Sequence, residues 1–486
     1  MPRASSHADG LTADQRQACD AFGTWLSAAD QRQPFVLSGY AGTGKTFLSM
    51  RFLAQAEAAG LCWTVVAPTH KAVGVLRRHL ELAQLSPTWY PSTIHRLLRL
   101  RLRRERDLER CEETEQTALA LEHLGLVLID EASMVDSSLL EICLRCAHPF
   151  RTRLVFVGDP AQLPPVGEPQ SPVFQMQRCQ RADLQEVVRH QGPVLRLASG
   201  LRSGALPCRR PPLLPPIRDP QGQVALLDSG SWLEAAQEAL RRSVLTDNPD
   251  LARILCYTNR TLEHLVPIAR RALHGEMADQ LPVLPGEVLI TRQAVMAPAC
   301  REGEEAAEEP DMVLGSNREL VVRDVTPERC DLADFGLTGV LDGPAPVIET
   351  LTARVESGES QLSLRLLPPI GSAARTSLEA VLLQLRTGAR EAGKQEGRAL
   401  WRRYFLVRDA FASLGPAAVL TVHRSQGSTF GEVFVAADVF WPSDEVLRRQ
   451  LVYVAVSRAS QVVTLSAHAA TAADRACWQQ WFQESA

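Results

Sequence analysis

Short runs of consecutive apolar residues recur along the chain, and most are followed by a polar loop and an amphipathic segment. A strand buried on both faces of a parallel sheet shows such a run, whereas a surface helix repeats its apolar residues every three or four positions. The segment that opens at Leu11 fits the helical pattern, with Thr12 as its N-cap and a buried face at Ala18, Phe22 and Leu26. The apolar runs predict strands at residues 34–38, 62–67, 124–129, 153–157 and 252–260. This alternation predicts an α/β fold with parallel sheets.

Three stretches interrupt the alternation. Residues 1–10 are polar and predict a disordered tail. Residues 203–222 contain six prolines and cannot form a helix or an inner strand, so we expect a linker between two domains. Residues 286–403 carry short β-like runs and an acidic loop, with a helical stretch over 376–410, which predicts a separate module inserted into the second domain. An unrelated β insertion is the alternative for that module.

Composition places the chain among ordinary globular proteins. Its 486 residues allow two to four domains, and 45% are hydrophobic. No apolar stretch is long enough to span a bilayer and residues 1–10 lack a signal-peptide core, so we expect a cytoplasmic protein. Eleven scattered cysteines predict reduced core residues rather than disulfides, and Cys143 and Cys146 lack the second ligand pair of a zinc site. The net charge of −4 neither favours nor excludes nucleic acid, because a local groove binds phosphates.

The octet from Gly39 to Thr46 has the spacing of a P-loop between a strand and a helix. Glycines in such a loop, including Gly42 and Gly44, let successive backbone N–H groups, that of Thr43 among them, point at phosphate oxygens. Lys45 can reach the β- and γ-phosphates, and the hydroxyl of Thr46 can ligate Mg²⁺. The alternative, a chance glycine turn before a core helix, does not account for the full octet. The loop therefore predicts binding of ATP with magnesium.

Polar side chains that suit ATP hydrolysis stand near this loop or follow other predicted strands. Asp130 and Glu131 end a continuous apolar run, where Asp130 can bind Mg²⁺ through water and Glu131 can take a proton from the attacking water. Gln162 follows the next strand, within reach of the γ-phosphate. Ahead of the P-loop, Gln15 can offer its amide to an adenine edge. Surface glutamines are common on helices, so the pattern at Gln15 is weak alone.

Polar residues also stand at two helix starts, in the stretches 67–73 and 91–98. A threonine at the carboxyl end of a parallel strand makes a ready phosphate contact, although ordinary helix caps look the same. The next segment, from Arg99 to Arg110, is dense in arginine and could contact nucleic acid or form a solvated helix face.

The order of these segments resembles the motifs of superfamily 1 helicases, in the variant of the RecD and Dda branch. Motif IV of that branch resembles Leu184–His190, in which Arg189 stands at the place of an arginine that contacts the γ-phosphate. The other matching segments are GYAGTGKT at 39–46, APTHKAV at 67–73, TIHRLL at 93–98, IDEASM at 129–134, GDPAQLPP at 158–165, AVLTVHRSQGSTF at 418–430 and LVYVAVSRA at 451–459.

The resemblance implies two RecA-like P-loop cores in tandem with ATP at their interface. The first core would comprise residues 11–98 and 123–202, interrupted by a pin insertion at 99–122. The second would comprise residues 223–285 and 404–486, interrupted at 286–403 by a small SH3-like β-barrel and tower. Arg458 would be an arginine finger that reaches the nucleotide when the cores close. Gly427 would also belong to the nucleotide site.

The implied function is an ATP-dependent DNA helicase that moves 5′→3′ on single-stranded DNA and unwinds duplexes. Its strand contacts are polar groups suited to phosphates, which predicts little sequence preference. They would come from Pro68, Thr69, His70, Thr93, His95, His423, Ser425, Ser428 and Thr429. The implied state is a monomer, with a single-strand binding protein or a recombination or replication protein as a further partner.

Three alternatives stay open at this stage. The pin segment 99–122 contains no aromatic residue to stack on a fork, so the chain could be a RecD-like subunit or a protein-displacing translocase. It could also use ATP only as a binding switch, against which Glu131 and Arg458 argue. RNA could be the track, because phosphate contacts do not read the sugar.

Overall fold

The structure is a computed structural model that describes residues 11–28, 33–105, 108–186, 192–297, 312–358, 360–469 and 471–484. The chain forms two compact units. The first comprises residues 1–103, 110–262 and 420–486, and the second comprises residues 104–109 and 263–419. In the part of the chain that is described, no helix has both the length and the apolarity to cross a bilayer. The predicted tail at 1–10 and the acidic loop at 301–310 lie outside the described residues.

The secondary structure alternates as the apolar pattern predicts. The helices are α1 (Ala13–Ser27), α2 (Lys45–Ala58), α3 (His70–Leu82), α4 (Ile94–Leu97), α5 (Ser137–Phe150), α6 (Pro193–Ser203), α7 (Ser229–Leu245), α8 (Asn259–His274), α9 (Met277–Gln280), α10 (Ala373–Glu391), α11 (Lys394–Asp409), α12 (Glu445–Ser457) and α13 (Ala472–Glu484). The first strands are β1 (Phe35–Gly39), β2 (Trp63–Ala67), β3 (Ser92–Thr93), β4 (Arg101–Glu105), β5 (Leu108–Glu112), β6 (Leu126–Ile129), β7 (Arg153–Gly158), β8 (Gln180–Leu184), β9 (Leu214–Asp219) and β10 (Gly222–Leu227). The later strands are β11 (Ala252–Cys256), β12 (Val288–Thr291), β13 (Val295–Met296), β14 (Met312–Leu314), β15 (Glu319–Asp331), β16 (Val347–Ser357), β17 (Ser360–Arg365), β18 (Leu414–Pro416), β19 (Val419–Thr421), β20 (Phe430–Val435) and β21 (Ala459–Ser466).

The first sheet has six parallel strands in the order β3-β2-β6-β7-β1-β8. Both of its faces are covered, which explains the uninterrupted apolar runs. Phe35 and Leu37 of β1 enter one apolar cluster, where Phe22 of α1 stacks on Phe52 of α2 with ring centroids 4.0 Å apart. Val36, between them, enters the cluster on the opposite face. The predicted α/β fold with a parallel sheet is confirmed.

The second sheet also has six strands, in the order β19-β11-β20-β21-β10-β9, and lies in the first unit. Strand β9 runs antiparallel to β10 at the end of this sheet. It lies inside the proline-rich stretch 203–222, so this stretch is not only a connection between domains. Pro215 and Pro216 are tolerated there because a strand at the end of a sheet has a neighbour on one side only.

The second unit contains a five-stranded antiparallel sheet in the order β17-β16-β15-β12-β18. Strand β15 is long, from Glu319 to Asp331, because it pairs with β16 from Val321 to its end. Helices α10 and α11 account for the predicted helical stretch and enclose a second apolar cluster around Leu385 and Val407. A buried ion pair, from Arg270 Nε to Glu287 Oε1 at 2.7 Å, joins α8 to the segment before β12. The assignment of this unit to a β-barrel and tower remains a prediction.

The arginine-rich segment after Arg99 is not a helix. Strands β4 and β5 form a two-stranded sheet there, so the alternative of a solvated helix face is wrong. Cys143 and Cys146 lie on α5, where both side chains are buried in the apolar cluster beneath the first sheet. Burial raises the pKa of the Cys143 thiol to about 12, as expected for a core residue.

Candidate nucleotide and strand site

The polar segments predicted from the sequence meet at one edge of the first sheet. Because its strands are parallel, their carboxyl ends lie side by side, and this edge is where α/β proteins bind ligands. Each described motif of the first core begins at or directly follows such an end. The segments are 39–46 after β1, 68–70 after β2, 93–95 at β3, 130–134 after β6, 159–165 after β7 and 185–186 after β8.

The P-loop has the backbone that its glycines allow. Gly42 and Gly44 have φ of +83° and +86°, values that side chains other than glycine rarely adopt. A Cβ at Gly44 would lie 2.5 Å from Nε2 of Gln15, so a side chain there would displace that amide. Lys45 begins α2, and its Nζ donates to the carbonyl oxygens of Gly39 at 2.8 Å and Tyr40 at 2.9 Å. The loop is therefore curled around its own lysine, in the geometry that suits a phosphate cradle.

Gln15 lies against the P-loop, but its amide already has partners. Its Nε2 donates to the carbonyl oxygen of Thr43 at 3.0 Å, and its Oε1 accepts from the backbone N–H of Thr12 at 3.2 Å. Only 2% of its surface is exposed. Gln15 thus braces the loop from the first turn of α1, and the predicted adenine contact would have to use the second N–H of the amide.

The two acidic residues after β6, Asp130 and Glu131, have different local environments. Glu131 has φ of +53°, a left-handed conformation that is uncommon for a residue with a side chain and often marks a functional site. Its backbone N–H donates to Oδ1 of Asp130 at 2.9 Å and orients that carboxyl group. Burial, together with the charge of Glu131, raises the pKa of Asp130 to about 7. A bound cation would favour the ionised carboxylate, and the oxygen donors of Asp130 and Thr46 are of the kind that Mg²⁺ prefers.

Gln162 is buried, and within the described part of the chain its Oε1 has no hydrogen-bond partner. An orphaned acceptor of this kind is rare in a folded protein and fits a group that acts on a ligand. The same loop contacts the segment after β19, where Nε2 of Gln426 donates to the carbonyl oxygen of Leu163 at 3.1 Å.

Of the two arginines predicted to contact the γ-phosphate, the structure describes only Arg458. Arg189 lies outside the described residues, although Oδ2 of Asp14 accepts from Gln185 and Glu186 N–H groups just before it, both at 3.0 Å. Arg458 is 6% exposed and sits at the C-terminus of α12. Its guanidinium donates to the carbonyl oxygens of Val454 and Ser428, both at 3.3 Å, and to the Ser457 hydroxyl at 3.0 Å. In this structure Arg458 therefore contacts its own helix and the 418–430 segment.

In the first core, Thr69 and Thr93 are both helix N-caps. The hydroxyl of Thr69 accepts from Ala72 N–H at 3.3 Å, and that of Thr93 accepts from Arg96 N–H at 3.4 Å. A role as N-cap does not exclude a contact with the strand. The hydroxyl pairs with only one N–H group, and the first turn of a helix has further N–H groups that can bind a phosphate. Pro68, His70 and His95 are half-buried beside them.

The 418–430 segment only partly fits its predicted roles. Thr429 is exposed and His423 is half-buried, with its ring centroid 6.2 Å from that of Tyr257. Ser428 is buried, and its carbonyl oxygen accepts from Arg458. Ser425 differs from the expectation, because its side chain is fully buried and its hydroxyl donates to the carbonyl oxygen of Val422 at 2.7 Å. That hydroxyl is not available to a phosphate.

Gly427 lies against the start of α3. It has φ of +71°, and a Cβ there would lie 3.3 Å from Oγ1 of Thr69 and 3.2 Å from Cβ of Ala72. The positive φ favours glycine at this position, and a side chain would be in tight contact with both neighbours. The predicted role of Gly427 in the nucleotide site stays a prediction.

Two further residues near these segments were not singled out from the sequence. Lys71 places its Nζ 3.3 Å from Oδ1 of Asp250 and 4.6 Å from the ring centroid of Phe430, which tethers α3 to the second sheet. Tyr453 of α12 donates from its hydroxyl to Asp159, which follows β7. The partners in each pair are well over a hundred residues apart, so no local pattern could have indicated them.

Comparison with known proteins gives matches in both halves of the chain. Residues 10–208 match the family described as AAA domain, and residues 416–466 match the UvrD-like helicase C-terminal domain. The ATP-dependent DNA helicase dda of Enterobacteria phage T4 is 25% identical over 462 residues, which are 93% of this chain and 98% of that protein. The ATP-dependent RecD2 DNA helicase of Deinococcus radiodurans is 32% identical over 176 residues, 35% of this chain and 22% of that protein. A crystal structure of Pif1 helicase from Bacteroides in complex with ADP-AlF3 and ssDNA aligns over 98% of this chain and 97% of that one, with 13% identity and a TM-score of 0.45.

Proposed function

The chain belongs to the superfamily 1 helicases of the Dda and RecD type, and from this premise we propose that it is an ATP-dependent DNA helicase that moves 5′→3′ on single-stranded DNA. The observation that carries the proposal is the convergence of the P-loop, the Asp130–Glu131 pair and Gln162 on one edge of the first sheet. ATP hydrolysis needs a phosphate cradle, a base and a γ-phosphate sensor in one place. The 5′→3′ direction follows from the family and not from residue chemistry.

In the proposed site the P-loop amides and Lys45 hold the phosphates of ATP. Glu131 accepts a proton from the attacking water, for which its carboxylate must be ionised. Gln162 orients that water or senses the γ-phosphate, and Arg189 and Arg458 supply positive charge to the transferring group. Thr46 and Asp130 would hold Mg²⁺, which when bound neutralises charge on the phosphate oxygens. Gly39, Gly42, Thr43 and Gly44 contribute backbone rather than side-chain chemistry.

Single-stranded DNA would cross both sheets of the first unit. In the first core the helix starts at Thr69 and Thr93 present N–H groups to phosphates, with Pro68, His70 and His95 beside them. In the second core, the half-buried His423 and the exposed Thr429 are among the accessible side chains of the 418–430 segment. Gly427 lies against Thr69, and this contact supports a continuous track across the two parts. Phosphate contacts of this kind carry little sequence preference.

ATP binding and hydrolysis would move the DNA by changing the fit between the two cores. Several contacts already join their segments, among them Lys71 with Asp250 and Gln426 with Leu163. A cycle that tightens and releases such contacts alters the affinity of each core for the strand, and this difference produces stepping. We propose that the protein does this as a monomer, with a single-strand binding protein or a recombination or replication protein as partner.

One observation favours a second candidate function. The segment 99–122, which contains the β4–β5 sheet, has no aromatic residue to stack on the base pairs of a fork. A chain of this kind could translocate and displace proteins from DNA, or act as a RecD-like subunit, without strong unwinding. It would still hydrolyse ATP on a single strand, which a pure ATP switch would not.

We expect the protein to unwind a short DNA duplex with a 5′ single-stranded tail and not one with a 3′ tail. ATPase activity is measured in the same samples. Matched duplexes with RNA tails test whether the protein prefers DNA or RNA as its track. ATPase stimulation without strand separation would support the translocase instead. Unwinding from the 3′ tail alone would contradict the assigned direction, and preference for the RNA tail would contradict a DNA track.

The strand affinity should not depend on protonation of His95 or His423. Burial lowers the pKa of both imidazoles below the ordinary 6.5, so both are neutral at pH 7 and stay neutral as the pH rises. A neutral histidine releases no counterion from a phosphate. We expect the slope of log Kd against log salt at pH 7.5 to be the same in wild type and His95→Gln/His423→Gln. A slope reduced by about 0.7 for each histidine, the value for single strands, would show that they bind as cations.

A further inference from the structure

A single hydroxyl joins three of the motif segments. Tyr453 lies on α12 with 2% of its surface exposed, and its hydroxyl group has one donor and one acceptor as partners. It donates to Oδ2 of Asp159 at 2.6 Å and accepts from the backbone N–H of Ala41 at 2.9 Å. Ala41 is in the P-loop, Asp159 begins the loop after β7, and Tyr453 stands five residues before Arg458.

Asp159 also bonds to the turn that contains Gln162. Its side chain is fully buried, and Oδ1 accepts from the N–H of Ala161 at 2.9 Å. Its carbonyl oxygen accepts from the N–H of Gln162 at 3.1 Å. The carboxylate therefore fixes the turn that carries Gln162, and Tyr453 fixes the carboxylate. Loss of the phenol hydroxyl would leave Oδ2 of Asp159 and the N–H of Ala41 buried without this partner, which is costly.

The same part of the P-loop is held from a second helix. The guanidinium of Arg202, on α6, lies 3.5 Å from the ring centroid of Tyr40. Tyr40 also accepts from Lys45 through its carbonyl oxygen. The entry to the P-loop, Tyr40–Ala41, is thus contacted by α6 and α12, while the amides toward Gly44 stay with the phosphate cradle. A change at the cradle can reach α12 through one hydrogen bond, from Ala41 N–H to the Tyr453 hydroxyl, and Asp159 through a second.

We propose that Tyr453 is a positioning residue, whose hydroxyl transmits the state of the P-loop to Gln162 and to the helix that carries Arg458. This inference rests on the proposed ATPase function. Tyr453 touches no reacting atom in this scheme; it sets where Gln162 stands when the phosphates are bound. Burial and the nearby Asp159 raise the pKa of the phenol well above its ordinary value of 10, so the hydroxyl remains a donor at every assay pH.

The test is Tyr453→Phe, which removes the oxygen and leaves the ring in place. We expect kcat of DNA-stimulated ATP hydrolysis to fall about tenfold or more, because a buried bridging hydrogen bond is lost. KM for ATP should change less than about threefold, since the phosphate cradle is intact, and more ATP should be consumed per base pair unwound. Tyr404→Phe, which removes a phenol hydroxyl in the second unit, is the matched control and should match wild type.

A double variant separates transmission through Asp159 from general loosening. Asp159→Asn keeps the shape of the side chain and removes its charge. If Tyr453 acts through Asp159, Tyr453→Phe/Asp159→Asn should be no slower than the slower single variant. Multiplicative losses would overturn this route, and so would wild-type kcat and coupling in a folded Tyr453→Phe protein. If Tyr453→Phe does not fold, wild-type turnover in Asp159→Asn overturns the proposal. No ATPase in wild type with DNA would instead refute the proposed function.

Discussion

Replacing Lys45 with alanine is expected to abolish ATP turnover while single-stranded DNA binding stays measurable. Lys45 is the cation of the P-loop, and its Nζ is already held at the loop centre by the carbonyl oxygens of Gly39 and Tyr40. Without it, no side chain of the octet supplies positive charge to the β- and γ-phosphates. Turnover is measured by phosphate release with saturating single strand, and strand binding by anisotropy of a labelled oligonucleotide.

The chain offers a matched control for this substitution. Lys394 begins α11 in the second unit and is exposed, so Lys394→Ala removes the same charge away from the P-loop and should hydrolyse ATP as wild type does. Glu131→Gln should abolish turnover as well, because an amide cannot accept the proton from water. If Lys45→Ala and Glu131→Gln both retain turnover, the site assignment is wrong.

Arg458→Ala is expected to slow ATP turnover about 10³-fold, the usual contribution of an arginine finger. Its guanidinium must leave the carbonyl oxygens of Val454 and Ser428 to reach the nucleotide. We therefore expect the full loss only in the DNA-stimulated rate, where the cores close, and a smaller loss without DNA. Steady-state kinetics with and without single strand measure both rates.

Arg458 also stabilises the 418–430 segment, so its stability must be followed in parallel. Arg241, an exposed residue paired with Glu238 on α7, gives the control Arg241→Ala, which should affect neither rate nor thermal midpoint. Arg458→Lys keeps the charge but loses the fork that contacts two carbonyl oxygens. A loss under tenfold in Arg458→Ala, together with a lower midpoint, would indicate a structural role instead.

The structural features that could be predicted are those that depend on residues adjacent in the sequence. The P-loop is eight residues in a row, and the strand before it was predicted at 34–38 from its short apolar run and is observed at 35–39. Thr12 was predicted as the N-cap of α1, and the structure confirms it and adds a capping box with Gln15. Parallel pairing then places the ends of these strands together, so the candidate site follows from local patterns.

The features that could not be predicted depend on residues far apart in the sequence. Tyr453 sits in an apolar run that predicts burial, and nothing nearby indicates that its hydroxyl meets Asp159 and Ala41. Ser425 and Gly427 were assigned by position in a motif, but the hydroxyl of Ser425 bonds to Val422 and Gly427 lies against the start of α3. The β4–β5 sheet was missed because the frequent charged residues of this segment obscure the alternation that predicts a strand.

The position of β9 has a consequence for the behaviour of the protein at high concentration. A terminal strand presents unpaired N–H and C=O groups, which another chain can use to extend the sheet and aggregate. Pro215 and Pro216 have no N–H to offer, and the exposed side chain of Arg218 adds charge on the same strand. The proline-rich stretch thus makes this edge of the second sheet a poor template for intermolecular strand pairing.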